Sequence, residues 1–239
     1  MTSARAVAHV HSDWSDDGSQ TLTEIAATFA RRRYQVVLMS EHSRGFTDAK
    51  WQEYVQACRE ASNDRLTLVP GIEYGDPDDV VHIPVWGDLP FFGDGLATGR
   101  LLNEVSAAGG TAIWAHPWRR EAWRRFDPGW LDQLAAVEVW NRKYDGMAPS
   151  RDALALARRE RLRAAVALDF HTRRQLFPLS LSLRLEGARS QAAVRAALDA
   201  GAFSPQVFGL PLALFTRGPG GLALRGLERL RKTAALAVR

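Results

Sequence analysis

Cysteine is nearly absent from this 239-residue chain. Cys58 stands alone, so no intrachain disulfide can form, and a reducing compartment is the natural expectation. Long apolar runs are missing as well: no stretch approaches the ~18 consecutive apolar residues of a membrane-spanning helix. The opening M-T-S-A-R-A-V-A-H-V-H runs straight into the first motif, so no signal peptide is expected. Internal repeats, low-complexity tracts and linker-like stretches are lacking too, which argues against a repeat array or a disordered scaffold. These absences predict a soluble, cytoplasmic protein.

A large excess of one charge sign is also missing. The chain carries 31 Lys and Arg against 27 Asp and Glu, a net charge of +4. The imbalance is local. Residues 206–239 hold Arg217, Arg225, Arg229, Arg231, Lys232 and Arg239 against Glu228 alone, so the rest of the chain is close to neutral. The body therefore carries no strong nucleic-acid signal. If helical, 221–238 is amphipathic, with Leu227, Leu230, Ala234 and Val238 on one face and Arg225, Arg229 and Lys232 opposite. We expect residues 1–205 to form one domain. Residues 206–239 would form a basic amphipathic helical tail, docked on that domain or touching an anionic membrane surface or a partner.

Short apolar segments alternate with helical patterns along the chain. Strand-like runs lie near 5–11, 35–40, 66–73, 80–86, 111–115, 135–140 and 164–169, and helix candidates near 22–33, 48–62, 98–108 and 150–162. The alternation predicts a mainly parallel α/β architecture, and seven strands without an obvious edge suggest a barrel. One junction differs. Y-G-D-P-D-D after Glu73 is too short for a parallel crossover and reads as a tight turn, making 80–86 antiparallel to its predecessor. Further on, Leu179, Leu181, Leu183 and Leu185 alternate with polar residues as in a half-buried strand, and a helix follows at 189–200.

Histidine is where the chemistry concentrates. All six copies sit on or just after strand-like segments: His9 and His11, His42, His82, His116 and His171. In a strand, residues two apart share a side, so His9 with His11 and Asp169 with His171 can each offer two ligands to one cavity. Parallel barrels gather their active sites at the C-terminal ends of the strands. Asp17, in the loop after the first strand, and Glu73, at a strand end, complete a set of six imidazoles and three carboxylates. That is too many for one catalytic zinc with its usual three protein ligands, so two to three divalent transition ions are expected, Zn, Mn or Fe. Such clusters activate water and clamp the oxygens of a displacement, which is hydrolytic machinery.

The same residues resemble the PHP (polymerase and histidinol phosphatase) family. The pieces H-V-H-S-D-W-S-D-D-G, S-E-H-S, G-I-E-Y, V-H-I, A-H-P-W and L-D-F-H follow the family's order across residues 9–171. The resemblance implies a distorted seven-stranded (β/α)7 barrel with an added C-terminal strand and helices, and a trinuclear site. It assigns His9, His11, Glu73 and Asp169 to one ion, and these four form the catalytic set. Glu73 would bridge to a second ion held by His82 and His116, with Asp17, His42 and His171 on the third. Asp16 competes with Asp17, and Asp17 is favoured. Glu41 stands where the family usually has Asp, and Ala167-Leu168 replaces a usual pair of smaller residues.

The function implied is a metal-dependent phosphoesterase with a metal-bridging hydroxide as nucleophile and a small-molecule phosphate ester as substrate. A carboxylic ester or amide hydrolase on the same site is the alternative, and a non-catalytic metal-binding module is a third. Arg44, Arg119, Arg120, Lys143 and Arg173 follow strand ends and are candidates to grip phosphate. Arg119, Arg44 and Arg173 rank first among them. Glu138 and Asn141 are candidates to support a metal-bound histidine. Trp114, Trp118, Trp123 and Trp130 cluster around A-H-P, as core, lid or substrate wall.

Overall fold

Strand β1 (Thr2–Val10) begins with exposed positions and becomes continuously buried from Ala6 onward, the pattern of a strand covered on both faces. The computed structural model describes residues 1–237, with 234–237 described by backbone alone. After β1 come α1 (Leu22–Ala30), β2 (Val36–Met39), β3 (Glu41–His42), α2 (Asp48–Ala61), β4 (Thr67–Val69) and β5 (Gly71–Gly75). Then follow β6 (His82–Trp86), α3 (Thr98–Ala107), β7 (Thr111–Trp114), β8 (Leu134–Asn141), α4 (Arg142–Asp145), α5 (Arg151–Arg159) and β9 (Ala164–Ala167). The chain closes with β10 (Leu179–Leu185), α6 (Gln191–Asp199), β11 (Phe203–Val207), β12 (Leu210–Pro211), α7 (Ala213–Thr216) and α8 (Gly218–Ala237). Helix starts are set locally: Thr21 and Glu24 form a reciprocal capping box on α1, and Thr47, Ser150 and Ser190 cap α2, α5 and α6.

The strands form two six-stranded sheets rather than the one seven-stranded barrel expected. One runs β12-β11-β10-β1-β2-β4 and the other β3-β5-β6-β7-β8-β9. The run expected at 66–73 is broken at Pro70, and the run expected at 35–40 stops at Met39, with Glu41 and His42 beyond it forming a separate short strand in the other sheet. Pro70 has no N–H to give to a ladder. Ser40 closes the β1–β2 ladder, giving its N–H to the Val10 carbonyl at 2.8 Å, and the next two residues pair with β5 in the other sheet. On the other side, β1 meets the segment after β9 through a single isolated bridge, Val10 with Phe170. The Phe170 N–H to His9 carbonyl bond (2.9 Å) and the His11 N–H to Phe170 carbonyl bond (2.8 Å) accompany it.

The tight turn after Glu73 is present. Strands β5 and β6 pair antiparallel with Gly75 opposite His82, and β6 is antiparallel to β7 as well. His82 therefore starts a strand at the rim where its antiparallel neighbours β5 and β7 end. Of the tryptophans around A-H-P, Trp114 and Trp130 are buried and meet edge to face at 5.8 Å. Trp118 and Trp123 stack on each other at 6.1 Å in the following loop and do not line the site.

At the C-terminus the expected helix is present, and the side it turns to the body is set by contacts. Leu227 and Leu230, on the expected apolar face, are 45% and 69% exposed, whereas Leu224 and Glu228 are buried. Glu228 seats the helix by accepting the Met147 N–H at 2.8 Å, and it lies against Gly146. Gly146 has a φ of +74°, and a Cβ there would collide with the Glu228 carboxylate, so only glycine permits this seat. Val238 lies outside the described residues. The expected boundary after residue 205 falls within β11. No helix among the described residues is long and apolar enough to cross a membrane.

Candidate metal centre

Three of the expected ligands have left-handed backbone: His9 (φ 62°), His116 (φ 26°) and Asp169 (φ 49°). Non-glycine residues rarely adopt this region, and such strain concentrates where a site needs a side chain re-aimed. At His9 the β1–β2 register shifts between Ala8 and Val10. The sharing of one cavity by His9 and His11 thus comes from a bulge and not from simple strand alternation. Their rings lie 5.1 Å apart.

At the centre is Glu73, buried at the end of β5. His9 Nε2 is 3.0 Å from its Oε1, His82 Nδ1 is 3.0 Å from the same oxygen, and His11 Nε2 is 3.7 Å from Oε2. All three ring nitrogens are buried and make no hydrogen bond. The opposite nitrogen of each ring is engaged. His9 donates from Nδ1 to Glu138 at 2.8 Å, and His82 donates from Nε2 to Asp79 at 2.8 Å. His11 Nδ1 faces the Ser15 hydroxyl at 3.3 Å, and that hydroxyl donates to Glu41. Each ring is therefore held from behind, so that its inward nitrogen faces Glu73 and would present a lone pair once its proton is displaced. Ring nitrogens crowded around one carboxylate are what a shared cation would join, and carboxylate–histidine pairs of this kind orient metal ligands.

His116 Nε2 stands 3.1 Å from Glu73 and 3.7 Å from Asp169. Asp169 lies 3.6 Å from His11 Nε2 and 3.9 Å from His9 Nε2. Ligand atoms of His9, Glu73 and His116, of His9, His11 and Asp169, and of His11, His42 and His171 lie within 4.8 Å of one another in each group. His11 thus approaches the His42–His171 pair as closely as it does His9, nearer than its expected place on one ion alone. The loop aspartates divide the work. Asp17 reaches His42 at 3.2 Å and His171 at 3.1 Å, whereas Asp16 pairs with Arg44 at 2.7 Å. Glu41 accepts bonds from Ser12 and Ser15 and holds the 12–15 loop.

The electrostatics follow from this packing. Burial works against charge on His9, yet Glu73, Glu138 and Asp169 hold its pKa well above the ordinary value. Burial likewise opposes charge on His42 and His82. Asp17 and Glu73 override it at His42, raising the ring to about 10, and Glu73 with Asp79 raises His82 to about 9. Burial lowers His11 and His116, at His11 with help from His171 and His42. Burial alone would raise Glu73, but the His9 and His82 charges pull it well below the carboxylate range. In this state protons balance the buried carboxylates. Divalent ions would displace those protons, so the donor set fits such ions in chemistry as well as in placement.

The centre opens into a cavity of about 260 Å³ lined by Arg44, Asp79, Arg119, Lys143 and Tyr144 among others. Of the three first-ranked phosphate candidates, Arg119 and Arg44 reach this mouth, whereas Arg173 is exposed in a short helical turn and does not line it. Arg44 is tied to Asp16, and Arg119 and Arg120 both bind Asp79. Lys143 reaches further in, its Nζ 3.1 Å from His171 Nε2 and 3.4 Å from Asp169. Asn141 links the two layers. Its carbonyl oxygen caps α4 by accepting from the Lys143 and Tyr144 N–H groups, while its amide donates to Glu138 at 2.8 Å.

Asp79 is the residue that sequence reasoning passed over. Y-G-D-P-D-D reads as a turn, and the proximity of three acids to His82 was the available signal. The arginines that share Asp79 come from a loop some forty residues later in the chain.

No family model matches the chain, and no curated protein matches it in sequence. Solved structures do match. A two-domain protein from Bacteroides vulgatus ATCC 8482, containing a predicted PHP-like metal-dependent phosphoesterase, aligns over 86% of this chain with TM-score 0.64 and 16% identity. This chain spans 65% of that one. PsfC from Pseudomonas syringae PB-5123 aligns over 98% of this chain and 100% of its own, with TM-score 0.63 and 14% identity. The lesion-specific endonuclease EndoQ from Pyrococcus furiosus aligns over 83% of this chain and 56% of its own, with TM-score 0.58 and 11% identity. The chain shares its fold with these proteins, one of which contains a predicted PHP-like metal-dependent phosphoesterase.

Proposed function

We propose that this protein is a PHP-family metal-dependent phosphoesterase acting on small phosphate esters. The observation that carries the reading is the convergence on Glu73 of three buried, unbonded ring nitrogens, from His9, His11 and His82. In this reading His9, His11, Glu73 and Asp169 hold one ion, and His82 and His116 share Glu73 with a second. Asp17, His42 and His171 serve a third. Bound divalent ions, Zn, Mn or Fe, lower the pKa of water and polarise phosphoryl oxygens.

The chain's own residues do the rest. Lys143 and Arg119 bind the non-reacting phosphate oxygens from the mouth, Lys143 as a compact charge and Arg119 as a planar fork. Tyr144, its ring 4.8 Å from that of His116, narrows the entrance. Glu138, Asp79 and Ser15 hold three imidazoles in the tautomer that presents a lone pair inward. The cavity volume of about 260 Å³ suits a small ester better than a polymer.

The test pairs two chromogenic esters. Metal-reconstituted protein should hydrolyse an aryl phosphate, and His9→Ala should abolish this while leaving the circular-dichroism spectrum unchanged. Faster turnover of an aryl acetate would replace the reading with a carboxylic ester hydrolase. Stoichiometric metal with no turnover of either would leave a metal-binding module.

A further inference from the structure

Helix α8 turns its apolar side away from the body. Leu222 and Leu230 are 65% and 69% exposed, and Leu227 lies on the same side. At 3.6 residues per turn these three occupy adjacent positions with Ala223 and Gly226. Arg225 and Arg229 border them on one flank and Arg231 on the other. Leu214 of the neighbouring α7 is exposed as well. Single exposed leucines are ordinary; a row of them bordered by arginines on both sides is not.

The cations are available. Among the described residues neither Arg225 nor Arg229 makes an ion pair. The helix's one carboxylate, Glu228, is taken inward by Arg231 at 2.7 Å and by the Met147 N–H. We propose that α8 seats on an anionic lipid surface, with Leu222, Leu227 and Leu230 at the acyl boundary and Arg225 and Arg229 at the headgroup phosphates. The pattern is that of a helix lying in the bilayer interface. A nucleic acid would meet the arginines but leave the leucines without an apolar partner. A second copy of the chain on a twofold axis would bring arginine flanks against arginine flanks, which charge repulsion opposes. The helix is anchored at Gly146 and Met147, just after the turn that carries Lys143 and Tyr144 into the mouth.

Co-sedimentation of the full chain with vesicles provides the test. Phosphatidylcholine containing phosphatidylglycerol should pull the protein down, and phosphatidylcholine alone should not. Each surface arginine contributes about fivefold to such binding, so Arg225→Glu with Arg229→Glu should weaken it by more than ~tenfold. Leu222→Ser with Leu230→Ser should weaken it comparably. Leu222, Leu230 and Arg229 are exposed, Arg225 is half-buried, and none makes an ion pair or lines the cavity, so the melting temperature and aryl phosphate hydrolysis should stay close to unchanged. The proposal is overturned if anionic vesicles fail to bind, or if the leucine pair has no effect, which would indicate charge adsorption alone. A solution dimer that the leucine pair dissolves would overturn it too, by assigning the face to a second copy.

Discussion

Two corners of the centre use the same device at different depths. At the inner corner His9 donates to Glu138, with both side chains shut off from solvent. At the outer corner His82 donates to Asp79, whose side chain is about half exposed and also receives Arg119 and Arg120. Glu138 has other duties as well, accepting the His116 N–H and the Asn141 amide, but both are structural and internal. The inner carboxylate is therefore committed entirely to the metal-facing shell. The outer one is divided between a candidate ligand and the cations that would meet substrate, and water screens it. The lesson is that one pairing holds the centre together while the other adjusts it.

The strongest way to break this contrast is Glu138→Gln. It should lower metal affinity by ~10- to 100-fold, the usual consequence of losing a carboxylate behind a metal-bound histidine, as read by competition with a chromogenic chelator. Asp79→Asn should act more weakly, by several-fold, because solvent already screens that pair. It should also tighten inorganic phosphate as a competitive inhibitor, because Arg119 loses its internal counter-ion. Equal losses in the two variants, with no change in phosphate inhibition, would erase the distinction.

A third expectation concerns pH. His42 and His82 are raised in the folded state, to about 10 and about 9. Their contribution to stability is then complete below the ordinary histidine value of ~6.5 and is lost as pH rises through 9 to 10. Metal-stripped protein should melt at lower temperature at pH 10 than at pH 7. Metal-loaded protein should lack this loss, since the ligand rings are then neutral throughout. The smallest effect is expected from Arg173→Ala, which should leave KM for an aryl phosphate unchanged, whereas Lys143→Met should raise it.

Much of the fold could be read locally. The expected helices at 22–33, 48–62 and 98–108 appear as α1, α2 and α3 within a few residues, because cap residues and apolar spacing are properties of short segments. The antiparallel step at β5–β6 followed from loop length alone. What escaped were features decided by partners far along the chain. These include the break at Pro70 that assigns halves of one run to different sheets, and the seating of α8 through the Glu228–Met147 bond. The sharing of Asp79 belongs with them. At the site, the identity and order of the candidate ligands were legible, while the bulge at His9 and the failure of Arg173 to reach the mouth were not.

The linear chain determined which residue types are present and in what rhythm: every histidine at a strand end, acids beside them, and basic charge gathered at the C-terminus. Those features depend on spacing along a backbone of known geometry. Tertiary structure alone decided which nitrogen of each ring is left free, which aspartate of the 16–17 pair turns inward, and which side of the last helix faces water. Each of these choices is settled by a hydrogen bond or a close approach between segments distant in sequence, and no local periodicity encodes such a meeting.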